Sequence, residues 1–244
     1  MTSQVNPATS PLPASLQGLV PARPPGLTDI ARSLGGGTTR AFHRGQLLTC
    51  EGAPCEQVFE VLTGAVKLYT VALDGRLQIM AFALPGDYIG LLDQEQYDLT
   101  AETTVPSSVR IWPRVRVDRM IDQDSRLARR ILVASAQEIS RTRRQMLVLG
   151  RKGTIERLAS FLLLLQDRQR SGGRAQQGFF LPMSRRDMAD YLGLSTETVS
   201  RGFTRLRTLA IIATPKSHRV EIRDRRALSH LAEGLMPPGA LATH

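Results

Sequence analysis

Glu197, Ser200 and Arg201 fall together in LGLSTETVSR, residues 192 to 201. On a helix, a carboxylate, a hydroxyl and a guanidinium at i, i+3 and i+4 share one face. Arginine donates two parallel N–H bonds to guanine, a carboxylate accepts from the cytosine amino group, and a hydroxyl reaches a polar base edge or a thymine methyl. The three groups can therefore tell base pairs apart in a major groove. The competing use of Glu197 and Arg201 is a surface salt bridge, which as an exposed i,i+4 pair contributes only about 0.3–0.5 kcal/mol. The two uses are compatible, because the pair preorganises the arginine.

The flanking residues predict the elements that hold this face outward. Ser184 is placed to cap a helix over RRDMADYL with Met188 and Leu192 inward, Gly193 supplies the positive φ of a sharp turn, and Ser195 caps TETVSRGFTRLR. Val199, Phe203 and Leu206 then face a core, which leaves Thr196, Glu197, Ser200, Arg201 and Arg205 in solvent. LAIIAT, PKSH and RVEIRD read as two strands and a turn, a wing carrying Lys216, His218 and Arg219 at its tip. The expected base contacts are Thr196, Glu197, Ser200 and Arg201. The expected DNA-backbone contacts are Ser184, Ser195, Thr198, Arg205, Lys216, His218 and Arg219. Upstream, Thr154 is the expected cap of a helix with Ile155, Leu158, Leu162 and Leu165 on one face.

Charge follows the same division. Residues 1–112 hold 7 Lys and Arg against 10 Asp and Glu, net −3, whereas residues 113–244 hold 25 against 12, net +13. A positive field concentrated in one half suits a polyanion, nucleic acid or an acidic membrane surface, with a solvated arginine-rich surface as the bland alternative. At 244 residues, 42% hydrophobic and 22% charged, the composition is that of a folded globular chain with room for two cores. Apolar runs such as FLLLL at 161–165 are far too short to cross a membrane, and MTSQVNPATS lacks the features of a signal peptide, so a cytoplasmic location is expected. No nucleophile–base–orienter arrangement or metal cluster of an enzyme is legible.

Residues 1–28, with six prolines, are expected to be disordered, and residues 235–244 to form a flexible tail. Residues 29–120 read as a β domain: strand-length stretches such as VFEVL, AVKLYTV and LQIMAFAL alternate with glycines at 45, 52, 64, 75, 86 and 90. Residues 121–150 hold a long helix, from about Ser125, and residues 151–234 the helix-turn-helix and wing. Along the helix Ala128, Leu132, Ser135, Ile139, Thr142, Met146 and Leu149 repeat at 4,3 spacing with no charge among them. About 25 helical residues span about 37 Å, more than one small barrel can cover, so a second copy of the chain is the expected partner of this stripe. Packing wholly on its own barrel is the alternative.

LPMSRRDMADYLGLSTETVSRGFTRLR resembles the winged helix-turn-helix signature of the CRP/FNR superfamily of bacterial transcription regulators. GQLLTCEGAPCEQVFEVLTGAVKLYTVALDGRLQIMAFALPGDYIG is similar to that superfamily's cyclic-nucleotide-binding-type β-roll, and the likeness runs from about residue 40 to 232. The resemblance implies an α+β chain with an N-terminal β-roll, a long dimerisation helix and a C-terminal winged helix-turn-helix. It also implies a homodimer on a two-fold symmetric double-stranded DNA site and contact with RNA polymerase, mostly in activation. The E..SR triplet at Glu197, Ser200 and Arg201 is similar to the FNR and FixK branches, with half-sites of the TTGAT type: TTGAT, four base pairs, ATCAA.

In cyclic-nucleotide-binding members a Glu follows the PGDxIG turn and an Arg-Ser pair meets the phosphate. Here Leu91 stands for the Glu and Leu99-Thr100 for the Arg-Ser, so no cyclic nucleotide is expected; its phosphate would be an unpaired buried anion. Cys50 and Cys55 cannot supply the four thiolates of an iron–sulfur cluster, His43 is a remote haem ligand, and no metal or cofactor is expected. The uncharged seam fits a FixK-like protein active without one, in an oxygen-limitation response: a carboxylate at position 142 would repel its twin across the two-fold, and Thr142 does not. Two alternatives are thiol oxidation and an unidentified small effector in the β-roll. For the thiols, Cys50 is expected to pack in the barrel and Cys55 to sit in the GAPCE turn.

Overall fold

The computed structural model describes residues 28–73, 75–92, 95–170 and 178–235, so the expected lead-in and tail lie, but for Thr28 and Leu235, outside the described residues. Strands β1 (Thr38–Phe42), β8 (Ser107–Pro113), β3 (Gln57–Thr63) and β6 (Tyr88–Ile89) form one antiparallel sheet in the order β1-β8-β3-β6. Strands β2 (Leu47–Thr49), β7 (Thr100–Thr103), β4 (Val66–Val71) and β5 (Leu77–Ala83) form the other, in the order β2-β7-β4-β5. Phe59, Val61 and Val109 of the first meet Val66, Ala83 and Ala101 of the second in a shared interior. This is a β-roll.

Alternation along a strand sends neighbouring residues to opposite faces, so Val58 and Trp112 point away from that interior. They pack against three helices: α1 (Thr28–Leu34), α2 (Arg114–Gln123) and the start of α3 (Ser125–Arg151). Helix α1 was not legible as an element. Seven residues do not hold a helix alone, but Ile30 and Leu34 are fully buried, worth about 1.5–3 kcal/mol each. Carbonyls at and just past its end are met from outside: Arg116 donates to those of Leu34 and Gly36, and the Trp112 indole N–H donates to that of Gly35 at 2.7 Å.

From the roll, α3 runs 27 residues. Leu127, Ile131 and Ala134 turn toward the roll, whereas Leu132, Ile139 and Met146 are exposed. Helix α4 (Thr154–Arg170) follows. Its cap falls one residue before the expected Thr154: the Gly153 N–H donates to the Glu156 carboxylate at 2.9 Å, because Thr154 already has helical geometry. Then come β9 (Phe179–Phe180), α5 (Arg185–Leu192), α6 (Thr196–Thr208), the hairpin β10 (Ile212–Lys216) and β11 (Arg219–Ile222), and α7 (Arg225–Ala232). Strand β9, also unforeseen, adds to the hairpin through Val220 opposite Phe179.

The outer side of β5 and the C-terminal helices share one core. Ile79, Phe82 and Leu84 join Phe161, Met188, Tyr191, Leu192, Phe203 and Leu206. Phe82 and Phe161 each lie 5.2 Å from the Tyr191 ring, centroid to centroid.

Candidate nucleic-acid interface

Local chemistry sets the turn between α5 and α6. The Ser184 hydroxyl accepts from the Asp187 N–H, and the Asp187 carboxylate accepts from the Ser184 N–H, a complete capping box. Gly193 closes α5 in the left-handed region at φ 63°, where a side chain would be strained. Ser195 caps α6 by accepting from the Thr198 N–H at 3.1 Å.

Val199, Gly202, Phe203 and Leu206 are the buried face of α6. A Cβ on Gly202 would stand 2.7 Å from Leu158 Cδ2, so glycine lets α6 lie close on α4. The opposite face is open: Thr196, Glu197, Ser200, Arg201 and Arg205 are exposed, as the spacing requires. Arg201 donates to Glu197 at 2.5 Å with both side chains more than two-thirds exposed, so the pair steers the guanidinium without adding much stability. Ser200 donates to the Thr196 carbonyl at 2.8 Å and keeps its oxygen free to accept.

Lys216, His218 and Arg219 are exposed at the end of the β10–β11 hairpin, beside α6. Ser184, by contrast, is half-buried with its hydroxyl committed to Asp187. Thr198 is half-buried with its hydroxyl 2.7 Å from that of Ser195. Sequence reasoning passed over Arg185. Its guanidinium lies 3.2 Å from the Phe203 ring centroid, and burial, with Arg207 nearby, lowers its pKa to about 10.

In the roll, Cys50 is exposed rather than packed in the barrel, and Cys55, in the GAPCE segment as expected, is buried there. A β-bulge between Leu47 and Thr49 turns Thr49 inward and so Cys50 outward. The Cys55 thiol lies 3.5 Å from the Gly90 carbonyl and 3.6 Å from Arg114 Nη1. Leu91 is buried among Leu34, Trp112 and Leu127, and the Thr100 hydroxyl accepts from the Glu51 N–H at 3.1 Å. Among the described residues no helix is long and apolar enough to cross a membrane.

A recognition helix with an exposed polar reading face and a flanking wing defines a DNA-binding regulator. Family models agree: a Crp-like helix-turn-helix domain matches residues 156–231 and a cyclic nucleotide-binding domain matches residues 39–124. The chain is 36% identical to the transcriptional activator protein Anr of Pseudomonas aeruginosa over 80% of each chain. It is 39% identical to the nitrogen fixation regulation protein FixK of Azorhizobium caulinodans over 80% of this chain and 79% of that one. Among solved structures, FixK2 from Bradyrhizobium japonicum matches with a TM-score of 0.76 and 37% identity, over 80% of this chain and 97% of that one. The chain belongs to the CRP/FNR family of transcription regulators, on its FixK-like side, and like these relatives it is a regulator rather than an enzyme.

Proposed function

We propose that the protein acts as a homodimer on a TTGAT, four base pairs, ATCAA palindrome, activates transcription in contact with RNA polymerase in the cytoplasm, and needs no bound cofactor. The exposed Glu197–Ser200–Arg201 face carries this reading. Two copies of α6 one duplex turn apart, about 34 Å, would read the two half-sites. Arg201 would donate to guanine and Glu197 accept from cytosine N4, with Ser200 and Thr196 at neighbouring edges. Ser195, Thr198, Arg205, Lys216, His218 and Arg219 would hold the phosphates, with Ser184 acting only through its cap.

The seam supports the dimer. Leu132, Ile139 and Met146 are exposed on a helix rooted in the roll by its other face, with half-buried Ala128 and Ser135 and exposed Thr142 between them. The side chain of Leu149, the last seam position, lies outside the described residues. Leu91 and Thr100 support activity without a cyclic nucleotide, the first being spent on the helix-facing core and the second on a backbone bond. A response to oxygen limitation rests on the likeness to FixK and Anr.

A second reading, regulation by thiol oxidation, is favoured by the exposure of Cys50 over Cys55. Gel shifts of purified protein in air, without ligand, on the palindrome and on one with the half-site G replaced, test the main reading. A shift that depends on the G is expected. Failure to shift either duplex at moderate salt, or loss of the shift after alkylation of Cys50, would count against cofactor-free activity or for the thiol alternative respectively.

A further inference from the structure

Lys152 and Gly153 alone join α3 to α4, and a glycine in so short a link leaves its backbone free to take many directions. Two basic side chains hold it. Arg157 donates from Nε to the Lys152 carbonyl at 2.9 Å and from Nη1 to the Leu192 carbonyl at 3.0 Å. Lys152 donates from Nζ to the Ser160 hydroxyl at 2.8 Å and to the Ala232 carbonyl. Leu192 and Ala232 end α5 and α7, and the final carbonyls of a helix lack a partner within it and form the negative end of its dipole. The link is therefore tied at once to α4, to the turn before the reading helix and to the C-terminal helix.

Without that tie, the path from the seam to α6 runs back through the roll. Among the described residues, Ala134 is the last of α3 to pack against the roll's helix-facing core, seventeen residues before the helix ends at Arg151. Seventeen helical residues span about 25 Å. A bend of about 8° over that length would slide the later seam about 3.4 Å, one base-pair rise, against a motif docked on the roll. Arg157 and Lys152 close a shorter path. They hold the end of α3 against α4, α5 and α7, so that Ile139 and Met146 keep one position relative to Glu197 and Arg201.

We propose that Arg157 and Lys152 are positioning residues that set which half-site spacing the dimer accepts. The inference rests on the proposed homodimer and palindrome, and names what holds the spacer at four base pairs. In a two-fold dimer the separation of the reading helices fixes the separation of the half-sites. Both side chains are half-buried and turned to oxygens of the protein, so they act through α6 and read no base themselves. With either removed, the link regains its freedom and the dimer fits neighbouring spacers almost as well as its own.

The test measures affinity of the full chain for duplexes with about three, four and five base pairs between TTGAT and ATCAA. Wild type is expected to prefer the middle duplex by about tenfold, a one-step misfit costing as much as a mismatched pair. In Arg157→Met and Lys152→Met the preference should fall to about threefold or less, through weaker binding to the middle duplex, and Arg157→Lys, which keeps one charged donor, should recover part of it. Equal weakening on all three duplexes, with the preference kept, would overturn the proposal and leave the two residues as helix caps. Lys152→Met decides where Arg157→Met does not fold, because the Lys152 side chain belongs to no core cluster. If wild type shifts none of the duplexes, the proposed function fails first, and spin labels at Thr204→Cys in a Cys50→Ser chain still read the link. The distance between the two labels of a dimer should then be narrowly distributed with Arg157 and Lys152 in place and broad in either variant. Equal distributions, or a monomer, would remove the proposal.

Discussion

Lys67 of β4 stands 3.7 Å from Asp187, the residue that closes the capping box of α5, while holding Glu102 of β7 at 3.1 Å. One ammonium thus ties the roll to the first helix of the DNA-binding motif. Around it Gln78 donates to the Asp190 carbonyl at 2.9 Å, Thr104 donates to the Pro182 carbonyl, and Arg168 of α4 pairs with Asp87 of the roll. With Phe82 in the shared core, these contacts make the roll and the motif a continuous solid rather than two bodies on a free hinge. Lys67→Met would leave two largely buried carboxylates without their shared cation, and we expect a loss of about 1–3 kcal/mol, read as a fall of several degrees in Tm. An unchanged melting curve would show that the bridge adds nothing to the join.

Asp190 gives this join a dependence on pH. Burial raises its carboxyl pKa from the ordinary 3.8; Arg186 opposes the rise, Asp187 adds to it and Lys67 opposes it. A folded-state value above the unfolded one means that the native protein binds the proton more tightly. The group therefore favours folding below pH 3.8 and loses that contribution as pH rises through the folded value. Asp190→Asn is expected to gain in Tm relative to wild type as pH climbs through this window, in paired thermal melts. A constant difference between the two curves across the window would show that Asp190 is not the titrating group.

What was legible in the sequence is what short-range chemistry decides. Ser184, Gly193 and Ser195 mark the two helices because caps and left-handed turns act within a few residues, and the 4,3 stripe marks α3 because its period persists over many turns. Less local features escaped. The end of helix α1 is held by Trp112 and Arg116, 77 and 82 residues away in the chain. Strand β9 is two residues whose partner is β11. Cys50 turned outward because a three-residue strand carrying a bulge is too short for its alternation to be read. Arg185 looked like one more surface arginine, since its surroundings come from Phe203 on the next helix and the wing beyond it.

The seam makes a separate prediction. Thr142→Asp places a carboxylate in the row between Ile139 and Met146, both exposed in the single chain, and in a symmetric pair it would face its own copy. Like charges directly opposed oppose pairing. We expect light scattering to give a dimer for wild type and a shift toward monomer for Thr142→Asp at micromolar concentration, with Thr142→Ala remaining dimeric. If wild type scatters as a monomer with and without DNA, the seam has another partner.

Base reading and phosphate holding should separate cleanly between α6 and the wing. Arg201 presents its donors from the exposed face, steered by Glu197, so Arg201→Ala should cost about 1–3 kcal/mol on the matched palindrome and little on the G-substituted one. Lys216 is exposed at the wing tip, and in the proposed reading it meets phosphate rather than a base, so Lys216→Ala should weaken both duplexes alike and lower the salt slope by about 1. Glu197→Gln removes the carboxylate that pairs with Arg201 and, with it, the proposed acceptor for cytosine N4, and should relax preference at that base pair while leaving the salt slope in place. The measurement is anisotropy on the two duplexes over a salt series. Equal effects of Arg201→Ala and Lys216→Ala on both would mean that this helix binds DNA as a charged surface and that the order of Glu197, Ser200 and Arg201 carries no code.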